Sequence, residues 1–91
     1  MDFGLVLPTF TPGATPEGVE AAAEVAVRLG WSTVWATDHV LVHKDDRDYG
    51  FIYGAFSTLA YVGGRYPGLR LGASVINVPL RNAVVLAKEV A

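Results

Sequence analysis

Two kinds of apolar stretch alternate along the chain. Short unbroken runs, "FGLVL" at 3–7, "STVWAT" at 32–37 and "LRLGASVIN" at 69–77, read as strands. Longer stretches rich in alanine and valine, with apolar residues three or four apart, read as helices. Pro8 stops the first run, and Pro12 with Gly13 keeps the next segment in loop. Thr15, Pro16 and Glu17 then supply a helix start: a hydroxyl cap, a proline where no N–H is needed, and an acid beside the positive end of the helix dipole. Val19, Ala22, Ala23, Ala26 and Leu29 fall on one face, and Gly30 gives a left-handed stop.

The second strand is apolar on both sides at Val34, Trp35 and Ala36, as helix-covered parallel strands are, which makes Trp35 a helix-facing core residue. Asp38 to Gly50 reads as a loop long enough to be suspected of function. A second helix is expected over 52–62, with Phe56, Leu59 and Ala60 on its apolar side. Gly63, Gly64, Pro67 and Gly68 would end it, and Gly54 weakens its start. After the third strand come Pro79, Asn82 as an N-cap, and a helix "AVVLAKEVA" that reaches residue 91 without a stop signal. Such an ending is expected of a chain truncated in its third helix.

Three strand-to-helix units predict an α/β fold with a parallel sheet and right-handed crossovers. Two closures are compatible with that order, a doubly wound open sheet or the first three strands of an eight-stranded TIM (β/α)8 barrel, for which about 250 residues is typical. The first turn, "LPTFTPGATPEG", lacks G-x-G-x-x-G, which argues against a dinucleotide-binding start, and there is no P-loop.

Composition changes this picture in one respect. At 91 residues, 52% hydrophobic and 18% charged, the chain is apolar for so small a domain, so some apolar faces are expected to meet a partner: the rest of a barrel, or another subunit in a homo-oligomer. The net charge of -2 gives no electrostatic reason to expect nucleic acid or an anionic membrane. With no cysteine, no signal-peptide pattern and no apolar run near the roughly 20 residues that span a bilayer, a cytoplasmic location is the default expectation.

In parallel α/β folds, sites form at the C-terminal ends of strands, which here are Pro8 to Phe10, Asp38 to Val42 and Ser74 to Pro79. A histidine side chain can both donate and accept a proton, so His39 suits proton transfer or a hydrogen bond to a cofactor; more simply, Asp38 caps the loop and His39 fills a rim. Asp38, His39 and His43 can also be read as metal ligands, but ligands four apart converge best on a helix, and this stretch leaves a strand. Phe10, Trp31, Trp35, Tyr49, Phe51 and Tyr53 are candidates to wall a pocket for a small-molecule substrate or a flat ring, against the plainer reading of core packing. "KDDRD", 44–48, reads as a solvated loop tip. Gly72, Ala73 and Ser74 are small residues in a row within a strand, the mark of a bulge or of another body in close approach.

"FGLVLPTF", "LGWSTVWATDHV" and "RLGASVINVPLRNAVVLAKEVA", in this order, resemble the luciferase-like monooxygenase family, and the resemblance covers essentially all 91 residues. It implies the N-terminal part of a single luciferase-like (β/α)8 barrel domain and a parent oxidoreductase that uses reduced FMN or coenzyme F420. By the same resemblance, Asp38 and His39 line the cofactor pocket, with His39 catalytic near the reacting end of the ring. A bulge with a non-prolyl cis peptide at Ser74–Val75 would bring Ser74, Val75, Ile76 and Asn77 against the cofactor. The "TDH" sequence is closest to a deazaflavin subgroup, although FMN-dependent members share the same N-terminal signals. The family's later strands, which bind phosphate and close the barrel, are missing, so the 91-residue chain alone is expected to be inactive. Two other readings remain: a non-catalytic, self-associating remnant of the fold, and a metal-dependent barrel hydrolase.

Overall fold

The structure is a computed structural model that describes residues 1–41, 45 and 50–91. Its three strands, β1 (Gly4–Val6), β2 (Thr33–Thr37) and β3 (Arg70–Val75), form one parallel sheet in the order β1-β2-β3. Helices α1 (Pro16–Arg28) and α2 (Ala55–Arg65) make the two crossovers, and a 3-10 turn at Val78–Leu80 leads into α3 (Ala83–Val90). The α/β class and the parallel pairing are as the sequence predicts.

α1 begins where its capping residues place it. Thr15 Oγ1 accepts a hydrogen bond from the Gly18 N–H at 2.9 Å. At the other end Gly30 takes a left-handed φ of 68°, which costs a glycine little and a residue with a Cβ more. Thr15→Ala removes the cap and is expected to cost about 1 kcal/mol. For a domain of this size that lowers Tm by about 4–8 °C, to be read by thermal denaturation.

Side-chain alternation gives the sheet two unlike faces. Val34 and Ala36 point under the helices and are fully buried together with Leu7, Val19, Ala23, Ala26 and Val62. Leu29, expected on the buried face of α1, is its C-terminal cap instead and stays exposed. Thr33, Trp35 and Thr37 occupy the opposite face, which no described helix covers. Trp35 is therefore not the helix-facing core residue the sequence predicts, and it remains 38% exposed. Its indole lies along the sheet over two glycines. A Cβ on Gly72 would come within 2.4 Å of the six-membered ring, and one on Gly4 within 2.6 Å of Nε1.

Two glycines, one on β3 and one on α2, are thus explained by close approach. On the bare face Gly72 makes room for the protein's own flat ring. On the covered face α2 approaches closely, and a Cβ on Gly63 would stand 2.7 Å from Leu71 Cδ1. That approach is why α2 continues through Gly63 and Gly64 to Arg65 rather than stopping there. α2 also starts at Ala55 instead of 52, because residues 51–53 are committed elsewhere. Phe10 bridges Ile52 in antiparallel fashion, the Tyr53 N–H donates to Thr9 O at 2.8 Å, and the Thr11 N–H donates to Phe51 O at 3.0 Å. Gly54, in extended conformation, becomes the N-cap.

On the outside, α1 and α2 are linked through polar tips. Glu20 accepts from the Tyr61 hydroxyl and pairs with Arg65 at 3.0 Å. These contacts are exposed and add little to stability. None of the described helices is long and apolar enough to cross a membrane.

Candidate functional site

β2 ends at Thr37, and the next residue turns its side chain inward beneath the β3-to-α3 turn. Asp38 is buried, with a side chain 3% exposed, and both of its oxygens are engaged. Arg81 Nη2 donates to Oδ1 at 2.7 Å, Arg81 Nε donates to Oδ2 at 3.3 Å, and the Asn77 N–H donates to Oδ2 at 3.1 Å. The Asn77 side-chain amide donates in return to the Asp38 carbonyl. Burial alone would raise the Asp38 pKa. The Arg81 hydrogen bonds and charge, with the Asn77 N–H, outweigh it and hold the carboxyl below its ordinary value. His39 follows immediately and is exposed at the mouth of the sheet.

β3 carries the predicted irregularity. Ala36 pairs with Ala73, but Thr37 pairs with Val75, so Ser74 is the extra residue of a β-bulge. In a regular strand Val75 would face the helices with Ala73. The inserted residue changes its parity and turns it to the side of Thr37 and Trp35, where it is 62% exposed. Ser74 Oγ donates to the Ala36 carbonyl at 3.4 Å across the irregular step. The expected cis peptide at Ser74–Val75 is not found. Among the described residues the cis bond is Thr11–Pro12, and the β3 irregularity is achieved by the added residue with a trans backbone.

Asp38, His39, Ser74, Val75, Ile76 and Asn77 therefore converge at one end of the sheet, and Asp38 and Asn77 touch. The aromatic residues do not form one wall. Phe51 and Tyr53 meet edge to face at 5.1 Å beside Phe10, whereas Trp31 packs on Phe3, with centroids 5.9 Å apart, at the opposite end of the strands. His43, Tyr49 and all of 44–48 except Asp45 lie outside the described residues. Among the described residues no three His, Cys, Asp or Glu cluster closely enough to hold a metal ion. A cation already occupies the Asp38 carboxylate, since Arg81 forks onto it. Two cavities lie on the helix side of the sheet: about 320 Å³ between α1 and α2, and about 460 Å³ between α2, β3 and α3; of the converging set, Ile76 alone lines either.

Arg81 is not among the residues that the sequence pattern marks. Its signal is faint but physical: "PLRNA" puts a cation directly before a helix N-terminus, where the dipole disfavours it, so an anion is needed nearby. That anion is Asp38, 43 positions earlier.

The luciferase-like monooxygenase family matches residues 1–91. No curated protein and no solved structure matches the chain. The match spans β1, the Asp38–His39 strand end and the β3 bulge together, and on it the chain belongs to the luciferase-like monooxygenase family, whose members typically use flavin or coenzyme F420.

Proposed function

We propose that this chain forms the cofactor-facing wall of an FMN- or F420-dependent oxidoreductase, within a (β/α)8 barrel whose other strands complete the site. The observation that carries this reading is the bulge at Ser74, which turns Val75 onto the uncovered face beside the end of β2. That face suits a flat conjugated ring. Val6, Trp35 and Val75 offer exposed apolar surface, and exposed His39 stands at the strand end. Bound there, the cofactor would supply hydride transfer or oxygen activation.

The chain's own residues then divide the remaining work. Ser74, Val75 and Ile76 orient the ring, His39 donates or accepts a proton at its imidazole, and Asp38 with Asn77 holds that end of the sheet in register. Asp38 is thus a cofactor-pocket residue through its backbone and position, its carboxylate being engaged by Arg81 and Asn77. The substrate is a small molecule, and the location proposed is the cytoplasm.

Titration of the protein with FMN and with coenzyme F420, followed by tryptophan fluorescence, tests the reading. With the remaining barrel strands supplied in a longer polypeptide, one of them should bind, Ser74→Trp should abolish binding, and His39→Ala should retain it while lowering turnover by about 10²–10⁴-fold. Absence of binding by both cofactors would sink it. A second reading has its own support: Val6, Trp35 and Val75 leave an apolar sheet face exposed, and among the described residues β1 and β3 are edge strands. It makes the chain a non-catalytic, self-associating module. Sedimentation showing a defined homo-oligomer that binds neither cofactor would favour it.

A further inference from the structure

Arg81 contacts three elements at once. Its guanidinium forks onto Asp38 at the end of β2, its Cζ lies 4.6 Å from the centre of the Phe56 ring on α2, and Nη1 is 3.6 Å from Glu89 Oε2 on α3. The side chain is 24% exposed, so most of it is packed inside this junction. Arginine suits such a place: its planar fork matches a carboxylate while its face stacks on an aromatic ring.

We propose that Arg81 is a positioning residue for the strand-end site, a proposal that rests on the oxidoreductase reading above. The ends of β2 and β3 are joined through Asp38 and Asn77, by the Asn77 N–H to Asp38 Oδ2 and by the Asn77 amide to the Asp38 carbonyl. His39 is the next residue after one half of this lock, and Ile76 the residue before the other. Both candidate cofactor segments therefore take their separation from it.

The lock depends on Asp38 staying inside as an anion. Without the guanidinium, the hydrogen bond left to that buried carboxylate among the described residues is the Asn77 N–H. The carboxylate then either takes up a proton or rotates toward water, and either change releases Asn77. A purely stabilising arginine and a positioning one differ in what a neutral replacement restores. Asp38→Asn in the Arg81→Met background removes the stranded charge but cannot recreate the two-point fork. It repairs stability and leaves geometry unrepaired.

The test uses wild type, Arg81→Met, Arg81→Lys and the double variant Asp38→Asn/Arg81→Met, at a temperature where each is folded. Methionine keeps the apolar stem on Phe56, and lysine keeps the charge without the fork. Three quantities are read: Tm, the NMR signals of the His39 imidazole and the Asn77 amide, and FMN affinity. Arg81→Met should lower Tm, displace the His39 and Asn77 signals while those of Ala23 and Ala26 in α1 stay in place, and weaken FMN binding by about tenfold or more. Arg81→Lys should fall between it and wild type. The double variant should regain Tm but neither the signals nor the affinity. Recovery of all three, or a lower Tm with His39 and Asn77 unmoved in Arg81→Met, would overturn the proposal. A wild-type protein that does not bind FMN while the signals move as expected would count against FMN as the cofactor and leave the positioning role standing.

Discussion

Asp38→Ala is expected to destabilise the fold by about 3–5 kcal/mol, the range for breaking a buried ion pair by removing one partner. The truncation leaves the Arg81 guanidinium packed against Phe56 with its main anion gone and strips the Asn77 N–H of its acceptor. Small domains have only about 5–15 kcal/mol in total, so most of the margin would be lost. Urea denaturation should show a much lower midpoint with an unchanged slope; a midpoint within experimental error of wild type would mean the pair contributes nothing. The same pair sets an acid limit. Because folding lowers the Asp38 pKa, its contribution is fully present above the unfolded carboxyl value of about 3.9 and is lost as pH falls through the still lower folded value. Wild-type stability should therefore decline more steeply than that of Asp38→Asn, which has no carboxylate to protonate, as pH falls below the unfolded carboxyl value.

Gly72→Val should cost about 1–3 kcal/mol, although valine is by propensity the better strand residue. A Cβ at that position would stand 2.4 Å from Trp35 Cε3 and Cζ3, well inside van der Waals contact. The indole cannot slide toward β1 to escape, because its Nε1 already lies against Gly4. Strand propensity spans about 1 kcal/mol in all, so the clash should win. Trp35→Leu in the Gly72→Val background should recover most of the loss. Simple additivity of the two substitutions in denaturation experiments would show that ring and glycine are not coupled.

The strands and the starts of α1 and α3 were legible because their signals are local. Thr15 and Asn82 act as caps, and Gly30 takes the left-handed turn, as their residue types dictate. Trp35 was misassigned for a physical reason: in a continuous apolar run, sequence does not say which face the helices cover, and the indole took the side where Gly4 and Gly72 leave room. The end of α2 was misplaced because a glycine pair is also the signature of close packing, and here Gly63 meets Leu71. The convergence of residues 38–39 with 74–77 was legible from the rule that parallel strands present their C-terminal ends together. The clamp on Asp38 was not, since it joins residues 43 apart and no local pattern encodes such a pair.

The antiparallel pairing of residues 51–53 with 9–11 bears on how such a chain can change over time. The connection that leaves β2 is tied at its start, where Asp38 is bound to Asn77 and Arg81, and again at its far end, where Phe51 and Tyr53 are hydrogen-bonded to Thr11 and Thr9. Lengthening a polypeptide between two fixed points carries a closure entropy of roughly 0.6 kcal/mol for each doubling. On closure entropy alone, a change of length there weighs little on the scaffold. This frame can thus explore new chemistry at its rim while the sheet and its helices stay as they are.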